Sequence, residues 1–348
     1  MDTKVYYIDE ENIDLNIIDR AAEVIRSGGT VIFPTETVYG LGANALSSEA
    51  VSRIFNAKKR PADNPLIVHI TCLDMLIYLI SEPISKTAQI LMDRFWPGPL
   101  TLIFKKSPRV PFEVSPGLDT VSIRMPDNPI AFSLIEKSGL PIAAPSANLS
   151  GKPSPTLPEH VIEDMSGRVD MILCGSQSRV GVESTVLDLT GDVPVILRPG
   201  GVTYEELKEA IGNVIVDPGL VKQDEVPKAP GMKYTHYAPE ADMIIVKGHI
   251  DAVEKKIQQL IADKLKDNIK VGVLASDETK DIYKNCKVIS LGSREDYAVM
   301  ASRMFAALRE FDKAGVDIIY AEAIEEINMG MAVMNRMKKA AGFNIIEV

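Results

Sequence analysis

The chain has 348 residues, enough for two domains of ordinary size. With 48 acidic and 38 basic side chains its net charge is −10, which argues against broad adhesion to nucleic acid or anionic membranes but leaves room for a local basic pocket. No apolar run reaches membrane-spanning length, the first residues lack a secretory pattern, and the scattered Cys72, Cys174 and Cys286 suit reduced thiols of a cytoplasmic protein better than disulfides or a thiolate zinc site.

In chain order, Asp14 can cap a helix running to about Ser27. Its Ile18, Ala21, Ala22 and Ile25 share one face, and Gly28-Gly29 stops it. Residues 30–33 predict a buried strand. The polar stretch Pro34-Thr35-Glu36-Thr37-Val38-Tyr39-Gly40-Leu41-Gly42 follows, read either as a ligand loop or as a tight turn on its glycines. Its glycines also mimic a dinucleotide fingerprint, but they lie too far past the strand and no strand-borne acid follows at the right distance.

A helix over about 48–57 ends in Lys58-Lys59-Arg60-Pro61. These cations either decorate the helix C-terminus or meet a phosphate. Asn64 precedes a strand over 65–70 and His69 lies near its end. Trp96 to Thr101 reads as a rigid packing turn. Further strands are expected at 100–104, 121–124, 142–144, 171–174, 184–187 and 195–197, and helices at 84–95, 128–138, 157–165 and 204–211. Thr120 and Arg124 flank one strand. The Arg124 fork suits a carboxylate, with a surface ion pair as the alternative.

Pro145-Ser146-Ala147-Asn148 places small polar groups where a buried strand ends, and a polar loop through Ser154 follows. Ser184 starts another strand and Arg198 ends one. No Walker loop, nucleophile elbow or metal-ligating histidine spacing is present among these segments. Polar and cationic residues therefore recur at strand ends, as expected of a cleft at one sheet edge.

The α/β pattern of this first part closes near Gly201. Residues 212–240 read as a linker: Val226 to Gly231 is proline-rich, and Met232 to Pro239 is too aromatic for a spacer. A second alternation starts at Ala241, with strands at 243–246, 271–274 and 318–321 and helices near 297–314 and 329–341. Asp251 and Glu254 predict a capping box before a helix that turns Val253, Ile257, Leu260 and Ile261 inward. This suggests a small doubly wound parallel sheet.

The ordered segments PTETVYGLG, KKRPADNPL, WPGPLT, SIRMP, PSANLSG, GVESTV and LRPGG resemble the YrdC-like domain of threonylcarbamoyl-AMP synthases. PGMKYTHYAP and MGMAVMNRMKKAA resemble the linker and C-terminal domain of the two-domain members. The resemblance implies a twisted mixed-sheet α/β domain around a central cavity (1–201), a linker and lid (202–240) and a smaller Rossmann-like α/β domain (241–348).

It also implies condensation of L-threonine, bicarbonate or CO2, and ATP to threonylcarbamoyl-AMP and pyrophosphate, for threonylcarbamoyladenosine in tRNA. By that resemblance Thr37, His69, Arg124, Ala144 and Ser184 hold threonine. Arg60, Asn64, Thr120, Ser146, Ser154, Arg198 and Tyr237 hold ATP, and Lys58, Arg60, Ser146 and Asn148 serve catalysis. Magnesium accompanies ATP with no dedicated protein cage. The product passes to the tRNA-modifying transfer machinery, without stable membrane association, and the acidic total argues against direct tRNA binding. The alternatives in other classes are an RNA-binding module and a carbamoyl transferase of the hydrogenase-maturation kind, which needs additional domains and motifs.

Overall fold

A computed structural model of the chain describes residues 2–221 and 237–348. Among these, the chain divides into two compact units. The first holds residues up to 150 and 154–221, the second residues 151–153 and 237–348.

The first unit is built on an eleven-stranded mixed sheet. Its strands are β1 (Lys4–Tyr7), β2 (Val31–Phe33), β3 (Gly40–Asn44), β4 (Ile67–His69), β5 (Leu100–Lys105), β6 (Thr120–Arg124), β7 (Ile142–Ala143), β8 (Met171–Cys174), β9 (Thr185–Asp188), β10 (Val195–Arg198) and β11 (Ile215–Val216). They lie in the order β1-β8-β2-β3-β7-β4-β6-β5-β9-β10-β11. The helix Leu15–Arg26 forms as its pattern dictates. Asp14 accepts from the Asn16 N–H, and Ile18, Ala21, Ala22 and Ile25 are buried against Ile130, Leu134 and Ile135 of the helix Pro129–Ser138. On another part of the sheet, Val51, Ile54 and Phe55 of the helix Ser48–Lys58 join Leu41, Val68 and Ile123 in the larger core.

Two departures from the sequence reading shape the site. Residues 40–44 form β3 rather than a turn. The glycines serve close packing: a Cβ on Gly42 would lie 2.6 Å from both Ile142 Cγ2 and Phe33 Cε1. In addition, β7 runs antiparallel to β4, while β6 runs parallel to it. The segment after β7 therefore leaves beside the start of β4, where Ala144 N–H donates to the Ile67 carbonyl at 2.9 Å, and not beside His69. The polar segment after β7 thus runs by the start of β4, whereas His69 and Arg124 stand at the ends of β4 and β6. Of the stretch assigned to linker and lid, the expected helix forms at Tyr204–Ile211, and β11 is an edge strand of this sheet. Residues 222–236, including most of the aromatic segment, lie outside the described residues.

The second unit carries a five-stranded parallel sheet of β12 (Asp242–Lys247), β13 (Val271–Ala275), β14 (Lys287–Ser290), β15 (Ile318–Glu322) and β16 (Ile345–Glu347), in the order β14-β13-β15-β12-β16. Val253, Ile257 and Ile261 of the helix Ile250–Lys266 pack on Val271, Val273 and Tyr320, as their spacing predicts. The capping box does not form. His249 stands at the N-cap with no side-chain cap bond, and Asp251 lies inside the first turn. Residues 151–153 belong to this unit: Arg309 donates to the Pro153 carbonyl through Nε and Nη2, at 3.1 and 2.7 Å.

Candidate active site

Strand register brings the sequence-selected residues of the first unit into two groups. In the first, His69 at the end of β4 lies opposite Arg124 at the end of β6, and Arg124 lies opposite Thr101 on β5. Thr101 Oγ1 is 2.7 Å from Ser184 Oγ, just before β9. Ser184 in turn accepts from Arg198 at the end of β10, through its carbonyl at 3.0 Å and its hydroxyl at 3.1 Å. All five side chains are buried.

Arg124 is the centre of this group. Its Nε donates to the Gly98 carbonyl at 3.2 Å, and its Nη1 donates to Thr37 Oγ1 at 2.8 Å. Its Nη2 forms an ion pair with Glu36. The turn Trp96 to Thr101 therefore does more than pack: it closes on itself through Trp96 Nε1 to the Leu100 carbonyl, and it offers Gly98 to the guanidinium. His69 is forced to stay neutral. Burial first, and then the Arg124 charge, bring its imidazole down to about 3. Its Nδ1 is buried without a hydrogen-bond partner among the described residues.

The second group gathers by the start of β4 and β6. Ser146 bridges Gly40 of β3, and the Ala147 N–H donates to the Tyr39 carbonyl at 2.8 Å, so the loop after β7 is pinned along β3. Lys58, fully buried at the end of its helix, donates to the carbonyls of Ser146 and Asn148. The chain turns there because Lys59 takes the left-handed conformation, at φ 53°. Ser146 Oγ donates to Asn148 Oδ1, which fixes the two side chains relative to each other. Asn64, 1% exposed, keeps its Oδ1 without a hydrogen-bond partner among the described residues. Arg60 reaches the Pro65 carbonyl only at 3.5 Å.

Thr120 opens β6 on the same face as Arg124, roughly 13 Å away along the strand. Ala144 spends its N–H on Ile67, so a backbone contact to a ligand falls to its carbonyl. Ser154 Oγ donates to Glu183 Oε1 at 2.6 Å. Tyr237 lies in the second unit, with its ring 5.1 Å from Phe305 and below the Arg336 guanidinium.

Sequence reasoning passed over Glu36, Thr101 and Glu183. Each is buried, and each sits inside a segment already singled out. The available signal was an acid or hydroxyl amid residues that otherwise become core. Among the described residues no group of three or more His, Cys, Asp or Glu side chains could hold a metal ion.

Comparison with known proteins agrees with this arrangement. A family model described as Telomere recombination, covering the Sua5, YciO and YrdC proteins, matches residues 23–200. The model Threonylcarbamoyl-AMP synthase, C-terminal domain, matches residues 202–342. The chain is 52% identical to the threonylcarbamoyl-AMP synthase of Pyrococcus abyssi, over 94% of this chain and 95% of that one. It is 48% identical to the Bacillus subtilis threonylcarbamoyl-AMP synthase over the full length of both. A crystal structure of P. abyssi Sua5 complexed with L-threonine superposes with a TM-score of 0.95 at 50% identity, covering 99% of this chain and 100% of that one. With its mixed-sheet domain, its parallel-sheet domain and both family models matched in order, the chain belongs to the two-domain threonylcarbamoyl-AMP synthases.

Proposed function

We propose that the chain condenses L-threonine, bicarbonate or CO2, and ATP into threonylcarbamoyl-AMP and pyrophosphate, supplying the threonylcarbamoyl group for adenosine modification in tRNA. The observation that carries this most directly is the buried Arg124 guanidinium, bonded to Thr37 and opposite His69 in register, whose Nδ1 has no hydrogen-bond partner among the described residues. Arg124 is a planar fork suited to a carboxylate, beside small hydroxyls suited to a polar side chain.

The chemistry asks little of the protein covalently. The threonine amine adds to CO2 to give a carbamate. A carbamate oxygen attacks the α-phosphorus of ATP, and pyrophosphate leaves. Alignment and charge stabilisation supply the rate. We assign threonine to the Arg124 group, with Thr37, His69 and Ser184, and to the Ala144 carbonyl. We assign the nucleotide to the other group, with Arg60, Asn64, Thr120 and Ser146. The roughly 13 Å between Thr120 and Arg124 suits a ligand made of an amino acid joined to a nucleotide. Lys58 and Asn148 keep the Ser146 loop in place. Arg198 shapes the pocket through Ser184, and Ser154 does so through Glu183. His69, neutral throughout the physiological range, acts as a hydrogen-bonding group rather than a proton carrier.

Magnesium enters this reading only as the companion of the ATP phosphates. No helix among the described residues is long and apolar enough to cross a membrane. We place the enzyme in the cytoplasm and its product with the tRNA-modifying transfer machinery, without direct tRNA binding or stable membrane association.

The test is to incubate purified protein with ATP, magnesium, bicarbonate and L-threonine and to follow pyrophosphate and the adenylate together. Both products should require both threonine and bicarbonate. Turnover without threonine, or folded protein with none, would contradict the reading and favour carbamoyl transfer or RNA binding.

A further inference from the structure

We propose that Glu36 makes the Arg124 pocket selective for zwitterionic α-amino acids over carboxylates that lack an amine. The inference deepens the threonine assignment above and rests on it.

Glu36 and Arg124 are each 3% exposed and form an ion pair. Glu36 is also held in place. Its Oε2 accepts the Asp127 N–H at 3.2 Å, and its carbonyl accepts the Val180 N–H at 2.8 Å. The neighbouring Thr37 hydroxyl takes the other end of the same guanidinium at 2.8 Å. The acid and the base are therefore built into one fixed, buried unit whose charges cancel.

Charge balance in such a place decides what can enter. A lone buried guanidinium would attract any carboxylate. A guanidinium already matched by a fixed carboxylate would receive an unbalanced negative charge from a simple carboxylate, and an unpaired charge is costly in a dry site. A zwitterion carries its own compensating ammonium, so it adds no net charge to the Glu36–Arg124 pair, while the other guanidinium of this group, Arg198, lies against the Ser184 carbonyl and hydroxyl. The neighbouring His69 cannot supply the missing positive charge, because burial and Arg124 keep it unprotonated. The selectivity thus comes from the acid behind the clamp as well as from the clamp.

The experiment compares binding of L-threonine and 3-hydroxybutanoate, the same carbon chain without the amine, to the full-length protein by calorimetry. The unaltered protein should strongly prefer threonine. Glu36→Gln should shrink that preference at least about tenfold, mainly by admitting 3-hydroxybutanoate, whereas Glu36→Asp should keep it. An unchanged preference in Glu36→Gln would overturn the proposal. If that variant does not fold, the unaltered protein decides by charge: uncharged 3-hydroxybutanamide should bind more tightly than 3-hydroxybutanoate, and the carboxylate binding more tightly than the amide overturns the proposal. Arg124→Ala separates the two levels. Loss of both ligands with an unchanged Glu36→Gln preference sinks only the role of Glu36. Retention of both ligands sinks the threonine assignment itself.

Discussion

Glu322 in the second unit and His69 in the first are both buried polar groups at the end of a strand, yet their surroundings differ in kind. Glu322 receives the Ser276 N–H and hydroxyl, each at 3.2 Å, the Tyr283 hydroxyl at 2.6 Å and Arg294 Nη2 at 2.7 Å. Arg294 goes on to the Ala323 carbonyl. Burial, and then the bond to Glu322, push the Tyr283 phenol upward, so it remains a donor. Every oxygen of that carboxylate is answered from within the unit. In the first unit, His69 Nδ1 and Asn64 Oδ1 are buried and unanswered among the described residues. A satisfied network stabilises a fold, whereas buried polar atoms without partners cost stability, a cost that a bound ligand can offset. A Rossmann-like sheet alone does not make the second unit a catalytic site.

That contrast can be broken or sharpened by substitution. Glu322→Ala should have the largest effect on stability. It strands Arg294 and three other donors, at a cost of about 3–5 kcal/mol read by denaturant or thermal unfolding, with threonine affinity essentially unchanged. Lost threonine binding in a folded Glu322→Ala protein would break the division of labour.

Lys58→Met should come next. It removes the pin on the Ser146–Asn148 loop while keeping an apolar side chain of similar reach. Turnover should fall by about 10–100-fold, with threonine affinity held, because the loop shapes the nucleotide side. An unchanged kcat would show that the loop holds itself.

The effect that vanishes at neutral pH is that of His69 in acid. Unfolded, the His69 imidazole takes a proton near its ordinary value of about 6.5. Folded, it does so only near about 3. The unfolded state thus binds more protons between those values. The contribution of His69 is fully present above pH 6.5 and is lost as pH falls toward 3. His69→Gln should flatten that acid limb in unfolding curves measured across the window, and an identical slope would mean that His69 is protonated in the folded protein.

Much of this site was legible because local rules set it. Arg124 and His69 had to fall at strand ends, given the apolar runs before them, and Lys58 had to end a helix, given Pro61. What was not legible depended on partners distant in sequence. Nothing near Glu36 announces an ion pair with Arg124, and nothing near Lys58 says that its ammonium meets two carbonyls. The direction of β7 relative to β4 also escaped, because apolar runs report burial and not orientation. The glycines of β3 misled for a related reason. Gly42 is required by Ile142 and Phe33 packing across the sheet, and locally it looks like a turn. Asp251 and Glu254 had the spacing of a capping box, but the helix began earlier, at Ile250.

Recognition of the amino acid turns on Arg124. Calorimetric titration of L-threonine into Arg124→Ala, beside ATP titration of the same protein, tests it most directly. Threonine binding should fall by at least about a hundredfold, as for a lost charged clamp, while ATP binding persists. Threonine affinity preserved in the folded variant would contradict the assignment of this group to the amino acid.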